Sequence, residues 1–231
     1  MSRVIAYAPA PTGPLCGDER KRRRAEFAFA AKKDFAEHTV TQIAPGIWSC
    51  SNRGSSNCRF EVVFLGHRVI VTGDIGDLVL YCSDSDARAW LRQSVKSMDY
   101  VLRKCSSNIK KYVYEQDLAR ALILEHEIEA HREMTEYIND TDLTVEEKTA
   151  AAAKFDEIHA KLDTVREHLD TEDEFIGAWI DEICPQLDYP NATDWSTNAM
   201  WCYYALVWLV EQAGEKLLDT ASFPPAPKVR T

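Results

Sequence analysis

None of the seven cysteines (Cys16, Cys50, Cys58, Cys82, Cys105, Cys184 and Cys202) belongs to a CxxC pair, and their number is odd and their spacing wide. A disulfide framework is thereby set aside, and a reducing compartment is expected. No apolar run approaches the roughly 20 residues of a membrane-spanning helix. The longest covers 199–210, twelve residues, and reads as a buried helix. No N-terminal stretch joins a basic segment to a continuous apolar core and a small-residue cleavage site, so no secretory signal is expected. There is no internal repeat, no Gly-x-Ser-x-Gly elbow, no Walker loop and no nucleophilic Cys-His signature.

What is present is an ordinary globular composition, 45% hydrophobic and 28% charged over 231 residues, enough chain for one large domain or two small ones. The charge is uneven. Residues 115–188 hold 22 acidic and 6 basic side chains, a net charge of −16 in a protein whose total is −10. Residues 1–38 and 39–114 are both net basic. Such asymmetry creates a directional field that attracts basic partners to one end and repels free nucleic acid from it.

The pattern predicts an α+β chain: an extended arm over 1–17, an α+β domain with a β-meander over 18–111, an acidic helical domain over 112–219 and a flexible tail over 220–231. A helix capped by Asp18 is expected to run to about His38, carrying the basic run Arg20, Lys21, Arg22, Arg23 and Arg24. Strands are expected at 39–43, 47–50, 58–65, 68–72 and 78–82, with 51–57 as a polar loop and Gly73-Asp74-Ile75-Gly76-Asp77 as a turn. Two short helices should follow, one capped by Asp84 or Ser85 and one holding Tyr100, Val101 and Leu102, covering the dry face of the meander.

In the back half, helical spacing of Tyr114, Leu118, Ala121, Leu124, Ile128 and Ile138 predicts a helix over about 112–138. Thr144 with Glu147 forms a capping box for a second, whose stripe is Phe155, Ile158, Leu162, Val165 and Leu169. The two should pack as an antiparallel hairpin. Thr171 with Glu174 repeats the signal for a third helix, ended by Pro185. A last helix from Ser196 or Thr197 to about Leu218 is apolar almost all round and is expected at the centre of the helical core.

Several groupings invite chemistry. His126 and His131 are five apart and so turn to different helix faces, unlike a zincin pair. Asp156 with His159, and Glu167 with His168, lack the second Glu-x-x-His of a di-iron site. Cys50, Cys58, His67 and Cys82 have no usual zinc spacing, and buried free cysteines are the plainer reading. No metal and no cofactor is expected. Arg20, Arg22, Arg23, Arg24 and the loop residue Arg53 are candidate anion-binding groups, against the plainer reading of a solvated face.

The acidic hairpin remains. Glu125, Glu129, Glu133 and Glu136 on its first helix, and Asp156, Glu157, Asp163, Glu167 and Asp170 on its second, recur at three-four spacings that bring neighbours to roughly 5 to 6 Å. That is near the spacing of nucleic-acid phosphates, so a stiff hairpin of this kind could compete for a nucleic-acid channel. The alternative is a face kept charged for solubility.

The segment Gly54-Ser55-Ser56-Asn57-Cys58-Arg59-Phe60-Glu61-Val62, then Val71-Thr72-Gly73-Asp74-Ile75-Gly76-Asp77-Leu78-Val79-Leu80, Trp90-Leu91 and Asp99-Tyr100-Val101-Leu102, resembles accessory proteins of tailed bacteriophages over about residues 47–104. The resemblance implies action in the bacterial host cytoplasm and carries over no catalytic residue. The resulting expectation is a non-enzymatic inhibitor of a host defence protein, such as an anti-CRISPR protein that occupies the basic nucleic-acid-binding surface of a CRISPR effector. Two alternatives stand beside it: an enzyme acting on a nucleotide or phosphorylated signal through Arg53, Arg59, His67 and Asp74, and a nucleic-acid-binding module using the basic run. A homodimer is left open.

Overall fold

The computed structural model describes residues 11–106, 112–183 and 191–218. Within them the fold is α+β: a five-stranded antiparallel sheet, a two-stranded sheet and seven α-helices. The chain divides into two compact units, Met1–Arg22 with Val113–Asp194 and Arg23–Tyr112 with Trp195–Thr231. Helix α1 (Cys16–Asp34) crosses the division. It starts two residues earlier than expected and ends four residues short of His38. The Asp18 and Glu19 amides donate to the Leu15 carbonyl, so Asp18 lies inside the first turn and is not its cap.

In the sheet unit, β1 (Thr39–Ala44), β2 (Ile47–Asn52), β3 (Ser55–Leu65), β4 (Arg68–Gly73) and β5 (Leu78–Tyr81) pair in chain order, the simplest meander. The expected loop 51–57 is largely strand, because β2 and β3 extend to a tight turn at Arg53 and Gly54. Alternation buries Trp48 and Cys50, then Phe60, Val62 and Phe64, then Val69 and Val71, then Leu78 and Leu80, on one face. The turn after β4 needs its glycines: Gly73 and Gly76 have φ of +134° and +105°.

The buried face shares one apolar core with α2 (Ala87–Ser94), α3 (Met98–Arg103) and α7 (Thr197–Ala213). Here the structure corrects the expected domain boundaries. Helix α7 falls within the expected acidic helical domain, 112–219, but Met200, Cys202, Leu206 and Leu209 are fully buried in the sheet unit's core. Its all-round apolar surface is explained by burial between a sheet and helices. The helix itself stops at Ala213, and Gly214–Leu218 form a 3-10 turn.

The second unit contains α4 (Gln116–Asn139), α5 (Val145–Arg166) and α6 (Glu172–Glu182) around a separate core of Leu118, Ile123, Leu162, Val165, Phe175 and Trp179. Tyr112–Tyr114, expected as the first turn of α4, is strand β6, paired with β7 (Thr193–Trp195). The arm's first ten residues and the tail from residue 219 lie outside the described residues, as does Pro185. Among the described residues no helix is long and apolar enough to cross a membrane.

Candidate partner-binding surface

The acidic hairpin forms because its two helices are well specified at the bend. Thr144 caps α5 by accepting from the Glu147 amide at 3.2 Å, while the Glu147 carboxylate accepts from the Thr144 amide at 2.8 Å. These hydrogen bonds hold the Glu147 carboxyl below its ordinary pKa. Lys148 Nζ donates to the Ile138 carbonyl at 2.8 Å, satisfying an acceptor in the last turn of α4. At 1.5 Å per residue the helices are about 36 and 33 Å long, from 24 and 22 residues.

Further down, Ala121, Ile123, Ala130 and Met134 of α4 are buried, as are Leu162 and Val165 of α5. Glu127 lies on this same stripe and is only 6% exposed. It accepts from Arg166 Nη2 at 2.5 Å, and His159 Nδ1 is 3.9 Å away. His131 and His159 both approach the Phe155 ring edge to face, with centroids 6.0 and 4.5 Å apart. His126 packs on Trp179 at 4.7 Å, and burial holds its pKa below the ordinary value against the opposing charges of Glu125 and Glu129. The histidines are therefore packing groups of the hairpin. Among the described residues no three His, Cys, Asp or Glu side chains gather as a metal ion would require.

The nine carboxylates singled out from sequence all fall on this unit, but in different states. Glu129 and Glu136 share Arg132, at 2.5 and 2.6 Å; Glu157 pairs with Lys161 at 2.7 Å and Asp163 with Arg166 at 2.5 Å. The Arg132 and Lys161 hydrogen bonds hold the Glu129 and Glu157 carboxyls below their ordinary pKa. Glu125 accepts from the Cys16 amide at 2.6 Å, and Asp170 from Gln116 Nε2 at 3.4 Å. Glu133, Asp156 and Glu167 are exposed and enter no ion pair among the described residues. Self-neutralisation is thus partial: three cations serve four of the nine, and the six basic residues of 115–188 cannot balance 22 acids.

The candidate anion-binding arginines are placed differently. Arg20 donates to the Asn191 and Thr193 carbonyls at 2.5 and 3.3 Å, and Arg22 pairs with Glu19. Arg23 donates to the Trp195 carbonyl at 3.2 Å, and Arg24 makes a two-pronged pair with Asp99, both contacts 3.1 Å. Asp99 also accepts from Trp195 Nε1 at 2.7 Å. Burial acts to raise the Asp99 pKa, but the hydrogen bonds from Trp195 and Arg24 outweigh it and hold the carboxyl below its ordinary range. Each of these four arginines has a partner within its own unit, Arg20 and Arg22 in one and Arg23 and Arg24 in the other. Arg53 is exposed at the β2–β3 turn.

Around the meander, the Arg59 amide donates to Asp74 at 3.1 Å while its guanidinium meets Glu61 at 3.1 Å. His67 Nδ1 donates to the Asp84 carbonyl at 2.6 Å. Arg59 and Asp74 line an open pocket of about 310 Å³ with Glu61 and Thr72, and His67 is not among its lining residues. Cys50, Cys58 and Cys82 are free thiols, as are Cys16 and Cys202.

Sequence reasoning missed Glu127 and Asp99. For Glu127 a signal existed: it interrupts the apolar series Ile123, Ala130, Met134 at the correct spacing. Asp99 carried none, since Arg24 and Trp195 are 75 and 96 residues away. No family model, curated protein or solved structure matches the chain.

Proposed function

We propose that this chain is a non-enzymatic binding protein whose acidic helical unit docks on a basic surface of another protein, in competition with nucleic acid. The observation that carries the reading is the exposure of Glu133, Asp156 and Glu167 without ion-pair partners among the described residues, on a hairpin clamped at its bend and at Glu127. Carboxylates held at helical spacing on such a scaffold present a fixed negative array, which lowers the entropic cost of binding. Charge complementarity of this kind gives fast, salt-sensitive association. In the phage setting that the sequence resemblance implies, the partner is a basic host defence factor such as a CRISPR effector, met in the bacterial cytoplasm.

The test is affinity capture from bacterial lysate, followed by reconstitution with the purified captured protein. The wild-type chain is compared with the variant Glu129→Lys, Glu133→Lys, Asp156→Lys, Asp163→Lys. A stoichiometric complex that loses at least about tenfold in affinity on charge reversal supports the proposal. Unchanged affinity in a variant that keeps its helical signal refutes it.

A further inference from the structure

Among the described residues the hairpin is covered over only part of its length. Helix α6 has 11 residues, about 17 Å, against 24 and 22 for α4 and α5. It buries Phe175 and Trp179 in the core formed with Leu118, Leu162 and Val165. Beyond its C-terminal end, beside Glu182 and Ile183, a pocket of about 220 Å³ opens between α4 and α5. It shares Ala130, Glu133 and Ile158 with an open groove of about 440 Å³ that reaches Tyr137 and Leu143 near the bend. From His126 to Tyr137 this trough follows α4 for about 17 Å, three helical turns. Alanines make the room: Ala150 and Ala151 of α5 line the groove where Leu162 and Val165 close the other half.

We infer that this groove takes a basic amphipathic helix of the partner, which completes the layer that α6 begins. The inference rests on the acidic-surface reading and adds to it the binding mode. Met134, Phe155 and Ile158 form an apolar strip in it, bordered by Glu129, Glu133, Glu147 and Glu182 against Lys154 and Lys161; Glu129 is held by Arg132 and Glu147 by the cap at Thr144, so Glu133 and Glu182 are the carboxylates it offers. Lys161 already pairs with Glu157. A helix presenting apolar residues at i, i+3, i+4 and i+7 fits such a floor. Lysines or arginines on its flanks meet the carboxylates. The same face of a second copy is disfavoured by these charges, since two surfaces from the −16 stretch repel.

The probe is a fluorescein-labelled 14-residue leucine–lysine peptide with leucines at helical spacing. Its controls are a peptide of the same composition with that spacing broken and a leucine–glutamate peptide. Binding to the full chain is read by anisotropy and by the Met134 methyl resonance. The helical basic peptide is expected to bind with a Kd on the order of 10 μM, as suits a small interface, and to shift the Met134 methyl. Ala151→Trp, which fills the groove, and Ala150→Arg, which adds a like charge at its edge, should each weaken it at least about tenfold, with circular dichroism unchanged. Peptide binding that ignores both substitutions and leaves Met134 unmoved overturns the groove while the acidic surface still stands. Equal binding of the leucine–glutamate peptide, or a dimer in sedimentation that Ala151→Trp abolishes, also overturns it. Failure of the broader reading gives a different result: the charge-reversed chain holds the captured partner as tightly as wild type.

Discussion

Arg166 of α5 donates to Glu127 of α4 at 2.5 Å, and so the one carboxylate placed in the hairpin's apolar stripe is matched by a cation from the facing helix. Arg166 also reaches Asp163, which draws part of its charge outward. Removing Glu127 leaves Arg166 half-exposed and still solvated, whereas removing Arg166 leaves a buried carboxylate whose remaining basic neighbour among the described residues is His159, 3.9 Å away. Arg166→Ala should therefore destabilise the chain more than Glu127→Gln, by about 1–3 kcal/mol against roughly 1 kcal/mol. Urea unfolding of both variants checks the order; equal losses would count against the clamp.

Asp99 gives a pH signature in the sheet unit. Its folded pKa is depressed, so its contribution to stability is present above the unfolded value near 4 and is lost as pH falls through the lower folded value. The Tm difference between wild type and Asp99→Asn should be largest at pH 6–7 and shrink steadily below about pH 4. A difference that stays constant down to pH 2 would show that the pair with Arg24 contributes only packing.

Gly73 fixes the end of the β3–β4 pairing, opposite Phe60. A Cβ at Gly73 would come within 2.4 Å of the Arg59 carbonyl oxygen, at a φ of +134° that L side chains rarely adopt. Gly73→Ala should cost about 2 kcal/mol or more. Gly66→Ala, with φ of +56° and open space around it, should cost less. Thermal unfolding of the two variants side by side decides this.

Burial pushes the thiols of Cys50 and Cys202 up to about 12. Since the thiolate is the reactive species, iodoacetamide at pH 8 should leave both unmodified in the folded chain and label them only on global unfolding. Partly exposed Cys58 should label earlier. Peptide mass spectrometry along a urea series reads the order.

How far the sequence anticipated all this depended on how local the determinants were. The β-meander was legible strand by strand, because alternation such as Phe60, Val62, Phe64 against Arg59, Glu61 is a property of neighbouring residues. The caps at Thr144 and Thr171 were legible for the same reason. The placement of α7 was not: an all-round apolar helix announces burial without naming its neighbours, and those neighbours lie more than 100 residues back, as with Tyr203, whose hydroxyl donates to the Val95 carbonyl at 2.6 Å. The partners of the arginine run were not legible either: the acceptors at Trp195 and Asp99 are remote in sequence. The nine acidic residues were legible by spacing, but which of them pair depended on Arg132, Lys161 and Arg166 choosing particular neighbours.

The most direct measurement separates the unpaired carboxylates from the paired ones in the reconstituted complex. One triple variant carries Glu133→Gln, Asp156→Asn and Glu167→Gln; the other carries Glu129→Gln, Glu136→Gln and Glu157→Gln, which remove the same formal charge. Titration calorimetry at low and high salt should show the first variant losing more affinity and more salt dependence than the second, since among the described residues its charges enter no ion pair and, under the proposal, are the ones offered to a partner. Equal affinities for wild type and both variants at both salt concentrations would contradict the proposal that this acidic surface binds anything.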